Sequence, residues 1–171
     1  DCCEDICTYC GADYPDYCVI PADCIADETI NSLPFNASGD TASDTPDFNF
    51  VDLSSSCFAE WIVMGYDHIY AIALESGDSI TVTVSTTSSV YDPAILISDI
   101  CSNVVDHCTA GIDDGLEGDP ETLDFTATST GTYFIVVDSG YATSDDESKG
   151  PYSLSVTGSM ADGDVVDGDE V

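Results

Sequence analysis

Asp78-Ser-Ile-Thr-Val-Thr-Val-Ser85 sets Ile80, Val82 and Val84 against Thr81, Thr83 and Ser85 without a break. A strand turns successive side chains to opposite faces, so a period of two marks a strand with one buried face. Tyr152, Leu154 and Val156 alternate in the same way with Ser153, Ser155 and Thr157. Gly131-Thr-Tyr-Phe-Ile-Val-Val-Asp138 and Ala94-Ile-Leu-Ile97 are more continuously apolar, as strands in the middle of a sandwich are. Leu123-Asp-Phe-Thr-Ala127 and Ile69-Tyr-Ala-Ile-Ala-Leu74 add further strand-sized runs. Turn signals separate them at Ser76-Gly77-Asp78, Tyr91-Asp92-Pro93, Asp113-Asp114-Gly115, Thr130-Gly131 and Lys149-Gly150-Pro151. No segment holds a 3.6 period over three turns. About eight short strands predict an all-β chain, an antiparallel β-sandwich of jelly-roll-like form with a disulfide-rich N-terminal segment.

Four of these pieces come in a recognisable order: Glu75-Ser-Gly-Asp-Ser-Ile-Thr-Val-Thr-Val84, Tyr91-Asp92-Pro93-Ala-Ile-Leu-Ile97, Gly131-Thr-Tyr-Phe-Ile-Val-Val137 and Gly150-Pro-Tyr-Ser-Leu-Ser-Val156. Over residues 60–158 the chain resembles the bacterial pre-peptidase C-terminal domain, a secreted jelly-roll module. The resemblance implies a non-catalytic module, one usually attached to secreted hydrolases and in some members stabilised by calcium. This chain departs from the pattern in its Cys-rich N-terminal segment and in carrying no hydrolase, which leaves a substrate-targeting role in doubt.

Composition divides the chain into a Cys-rich segment (1–30), a Ser/Thr/Asp-rich connector (31–57) in which Phe48-Asn49-Phe50-Val51 is a candidate strand, the sandwich (58–158) and an acidic tail (159–171). Thirty-four carboxylates face one Lys and no Arg, a formal net charge of -33. That balance excludes nucleic acid as an ordinary partner, since phosphate binding needs clustered Lys and Arg. It excludes anionic membrane surfaces for the same reason. Hydrophobic residues at 43% supply a core and argue against disorder. No apolar run is long enough for a membrane span. Asp outnumbers Glu 26 to 8, which suits turns and hard-cation ligation; a halophilic surface would also be acidic.

Nine cysteines point to an oxidising, extracellular compartment. With Asp1 first and no signal-like segment, the chain reads as a mature secreted form. Cys2, Cys3, Cys7, Cys10, Cys18 and Cys24 read as a disulfide knot, with a zinc site on Cys7-Thr-Tyr-Cys10 as the competing possibility. Cys101 and Cys108 flank a short loop and are expected to close it, leaving Cys57 to reach back to the N-terminal cluster. The odd count leaves one thiol free and buried or paired with another chain. Asn36-Ala37-Ser38 is a glycosylation sequon expected in a surface loop.

Calcium takes six to eight oxygens from flexible loops. Two clusters offer them: Asp113, Asp114, Glu117, Asp119 and Glu121, and then Asp138, Asp145, Asp146 and Glu147. A third run, Asp162 to Glu170, imitates the start of a calcium loop without its full spacing. Catalysis finds less support. His68 and His107 read as ordinary solvent-facing histidines, and neither a Gly-x-Ser-x-Gly elbow nor a His-Glu-x-x-His motif occurs. The expected function is a non-catalytic extracellular structural protein, a self-assembling surface or fibre subunit forming a homo-oligomer or polymer. The alternative is a secreted accessory module binding a polysaccharide or protein ligand, with Trp61, Tyr66, Tyr70, Tyr91, Tyr133, Tyr141 and Tyr152 as candidate stacking platforms.

Overall fold

The computed structural model describes residues 25–46, 48, 57, 63, 65–140 and 148–160. Nine strands lie among them: β1 (Glu28–Ile30), β2 (Phe35–Asp40), β3 (His68–Leu74), β4 (Ser79–Thr86), β5 (Pro93–Ser98), β6 (Cys108–Ile112), β7 (Glu121–Thr126), β8 (Gly131–Ser139) and β9 (Pro151–Ser159). A single helical turn, α1 (Val104–His107), precedes β6. The strands form two sheets, a five-stranded one ordered β1-β3-β8-β5-β6 and a four-stranded one ordered β2-β9-β4-β7. Every pairing is antiparallel except that of β1 with β3. The chain is an antiparallel β-sandwich.

The alternation in β4 is realised as expected, with Ile80, Val82 and Val84 buried and Thr81 and Thr83 half-exposed. Tyr152, Leu154 and Val156 of β9 point inward beside them, and Val82 pairs with Val156. From the facing sheet come Tyr70, Ile72, Ile95, Ile97, Tyr133, Ile135 and Val137. These two inner faces form the main core.

β5 is buried along its whole length because its other face is covered too. Ile69, Ala94, Leu96 and Val136 lie on the outside of the five-stranded sheet beneath Val63, Cys57, Cys101, Val104 and Cys108. The covering is tied down by a disulfide between Cys57 and Cys108, whose Cα atoms are 5.6 Å apart. This corrects both the expected Cys101–Cys108 bridge and the expected reach of Cys57 back to the N-terminal cluster. Cys108 opens β6 and is already held by Cys57, while Cys101 belongs to a different disulfide.

The sandwich also starts earlier in the chain than composition suggested. β1 and β2 arise within the stretches read as Cys-rich segment and connector. β2 is an edge strand with only Phe35 as a large apolar residue, so its period-two signal is faint. Asn36 is exposed on this strand and pairs with Ser155, rather than sitting in a loop. Cys2, Cys3, Cys7, Cys10, Cys18 and Cys24, most of the candidate strand 48–51, and the acidic tail from residue 161 onward lie outside the described residues.

Candidate functional site: the acidic end of the sandwich

Pairing brings the ends of three strands together. Asp92 immediately precedes β5, Asp113 immediately follows β6, and Gly140 immediately follows β8. β5 pairs with both β6 and β8, with Ile95 opposite Ile112 and Pro93 opposite Ser139. Gly140 N–H donates to the Asp92 carbonyl at 2.9 Å, which locks the two strand ends in register. A Cβ built on Gly140 would lie 2.9 Å from both oxygens of Asp113 and 3.0 Å from Asp92 Oδ2. Three carboxylate oxygens therefore pack where any side chain at position 140 would begin, so only glycine fits there.

Asp113 is 6% exposed. Burial first, then the negative charges of Asp92, Glu121, Asp138 and Asp114, push its carboxyl up to about 7. Asp92 is pushed up to about 6 by burial and then by Glu117, Glu121 and Asp119, and its Oδ1 is buried without a hydrogen-bond partner. The loop between β6 and β7 folds over this site. Glu121 Oε1 accepts the Gly115 N–H at 2.5 Å, and Gly118, in the left-handed region at φ 84°, donates its N–H to the Tyr91 carbonyl at 3.0 Å. Burial also raises Glu121, and the backbone hydrogen bonds it accepts only partly offset that rise.

A second buried acid lies next along the sandwich end. Asp138 is wholly buried and accepts N–H bonds from Gly65 at 2.8 Å and Ser139 at 2.6 Å through Oδ1. Its Oδ2 lacks a partner in normal hydrogen-bond geometry and stands beside the Asp67 carboxyl, whose own Oδ2 accepts the Phe48 N–H at 2.8 Å. Burial pushes Asp138 up to about 6. Tyr91 closes the space from the core side, donating its hydroxyl to the Asp138 carbonyl at 2.9 Å.

Of the first expected calcium cluster, only Asp113 and Glu121 turn inward; Asp114, Glu117 and Asp119 are exposed. Asp138 faces Gly65 and Asp67. Asp145, Asp146 and Glu147 lie outside the described residues. Asp92 and Asp67 were absent from the expected ligand set. Asp92 stands in a Tyr-Asp-Pro triplet that reads as a turn, and only strand pairing places it opposite Asp113. Among the described residues, no group of three or more His, Cys, Asp or Glu side chains gathers as a self-sufficient metal centre.

Aromatic and imidazole groups are engaged internally. Tyr70, Tyr91, Tyr133 and Tyr152 are buried, which removes them as stacking platforms. Tyr66 is half-buried with the Lys149 ammonium 4.6 Å from its ring centre, and Trp61 and Tyr141 lie outside the described residues. His68 is half-buried, not solvent-facing; its Nδ1 is 3.1 Å from Asp44 and its ring is tilted against Tyr70. His107 is exposed, 3.5 Å from Asp99. Among the described residues no Ser, Thr or Cys side chain is hydrogen-bonded to either imidazole. No helix among the described residues is long and apolar enough to cross a membrane.

No family model matches the chain, and no curated protein matches it. Solved structures give distant likenesses. PliG of Aeromonas hydrophila, a periplasmic inhibitor of g-type lysozyme, is 14% identical, with 77% of this chain and 94% of that one covered and a TM-score of 0.48. CorA of Methylomicrobium album BG8, a surface-associated copper-binding protein, is 12% identical, covering 78% and 98% with a TM-score of 0.48. The pre-peptidase C-terminal domain of a Bacillus anthracis collagenase is 13% identical, covering 78% and 97% with a TM-score of 0.44. The family that the strand motifs resemble is thus among the structural neighbours.

Proposed function

We propose that this protein is a non-catalytic extracellular structural module that assembles with copies of itself. The observation that carries the reading is the internal use of its chemically capable side chains. The buried tyrosines bond to one another or to backbone, as in the Tyr70–Tyr152 hydroxyl pair at 2.8 Å. His68 is held by Asp44, and Glu121 frames a loop. The disulfides at Cys57–Cys108 and at Cys101 fit an oxidising compartment. Burial of four tyrosines favours this reading over glycan binding by ring stacking.

Assembly would use strand addition. Among the described residues, β2 and β7 end the four-stranded sheet, and each has one row of backbone groups that no described strand of that sheet pairs. A net charge of -33 on each copy opposes such contact until salt or cations screen it. Light scattering on the purified protein tests the reading, with oligomers expected at physiological salt and in calcium. A monomer under all conditions, with and without calcium and reductant, overturns it.

A further inference from the structure

We propose that the outer face of the four-stranded sheet is a surface on which a second copy of this chain docks. Such docking presupposes the self-assembly proposed above and gives it a surface besides the strand edges. Strand pairing lays the outward side chains of β2, β9, β4 and β7 in rows. Asn36, Ser155, Thr83 and Thr122 form the central row. Ser38, Ser153 and Ser85 lie to one side of it, and Thr157, Thr81 and Asp124 to the other. Their neighbours along the strands, among them Val82, Val84, Leu154 and Val156, are buried in the core, so the rows look outward.

Charge marks this face out. Residues that carry charge make up 20% of the chain and are almost all carboxylates, yet Asp124 is the one charged side chain in the three rows. It stands on β7, at the margin of the sheet, where its Oδ1 accepts the Thr81 hydroxyl at 2.6 Å. Exposed acids gather instead in turns and loops, at Glu75, Asp99, Asp114, Glu117 and Asp119. Two copies that each carry -33 repel most where such loops approach, and least where both present uncharged groups.

Hydroxyls also make the face complementary to itself. A carboxylate only accepts hydrogen bonds and cannot bond to its own copy, whereas Ser and Thr both donate and accept. Two such faces related by a two-fold axis can therefore satisfy one another. Hydroxyls at the β4–β7 side already pair within the chain, Thr83 with Thr122 at 3.1 Å and Ser79 with Thr126 at 2.9 Å. The Ser153, Ser155 and Thr157 hydroxyls of β9, in the middle of the face, have no such partner among the described residues and are open to one from outside. Four strands about 4.8 Å apart and about 20 Å long offer roughly 400 Å² per copy, about half of what a stable pair buries on each side. One such contact is weak, and it holds once salt screens the remaining charge or once strand addition repeats it along an assembly.

Sedimentation velocity on the full chain at neutral pH, from low to high salt, gives the test. Association should strengthen as salt rises, because the contact is uncharged and only the repulsion is screened. T83E and S155E, which put a carboxylate in the central row of each copy, should weaken association by about tenfold or more at fixed salt. T128E adds the same charge on the exposed turn between β7 and β8 and should stay within about twofold of wild type. S153E, at an exposed position of the neighbouring row, keeps the test open if T83E or S155E does not fold. Wild-type oligomers whose strength is unchanged in T83E, S155E and S153E overturn this surface and leave self-assembly standing on the strand edges. A wild type that is monomeric at every salt concentration overturns both. A monomer retained on an insoluble neutral polysaccharide, and released by S155E, overturns the second copy in favour of a glycan on the same face.

Discussion

Replacing Asp138 with Asn should stabilise this protein at alkaline pH and do little at acid pH. Asp138 is wholly buried, with Oδ1 taking two backbone N–H groups and Oδ2 beside the Asp67 carboxyl. Asn keeps an oxygen for the Gly65 and Ser139 donors and places an amide N–H₂ where Oδ2 lacked a partner. The native group is raised from 3.8 to about 6, chiefly by burial. A raised acid stabilises fully only below its unfolded value near 4, and that contribution is lost as pH rises through about 6. Two units correspond to about 3 kcal/mol at most, and relaxation around the pair lowers the expected gain to about 1–3 kcal/mol. Urea denaturation of wild type and D138N in chelator, at pH 4, 6 and 8, reads the difference directly. The D138N advantage should grow with pH and level off above pH 7. An equal loss of stability at all three values would refute the reasoning, because it would mean that the charge is compensated and only shape matters.

Two further outcomes follow from the packing. The double variant C57S/C108S removes a bridge closing 51 residues and should lose about 2–4 kcal/mol in denaturant titration. A loss under 0.5 kcal/mol would mean that the cover over the outer sheet face holds without it. Tyr152→Phe leaves the Tyr70 hydroxyl without its 2.8 Å partner inside the core and should cost about 1–2 kcal/mol. Tyr70→Phe combined with it should recover part of that loss, since no unpaired hydroxyl then remains, and a strictly additive double variant would contradict this.

The sequence made the central strands legible and the edges not. β4 and β9 announce themselves because each has one face in the core and one in water. β5 and β8 read as unbroken apolar runs because both their faces are buried, and the second cover, around Val63, Val104 and Cys57, has no local sequence signature. β6, Cys108-Thr-Ala-Gly-Ile112, begins at the cysteine expected to close a loop and carries no strand signal of its own. Its apolar content is slight, and its pairing with β5 comes from tertiary contact. The disulfide expectation failed for a related reason. Nearness in sequence favoured Cys101 for Cys108, but the fold brings Cys57 within 5.6 Å across 51 residues.

At the acidic end, composition pointed to the β6–β7 loop without saying which acid is buried. Asp113 directly follows β6 and is buried, whereas Asp114, Glu117 and Asp119 lie farther along the loop and stay in water. Asp92 was masked by its role before Pro93, and Asp67 by an unremarkable strand start. Gly140 carries no chemistry of its own, yet its missing side chain is what lets the carboxylates meet.

The most direct measurement is light scattering on the purified protein across a range of salt and calcium concentrations, with and without reductant. Oligomers that form once salt or cations screen the net charge of -33 on each copy are the expected result. A monomer at every salt and calcium concentration would contradict it.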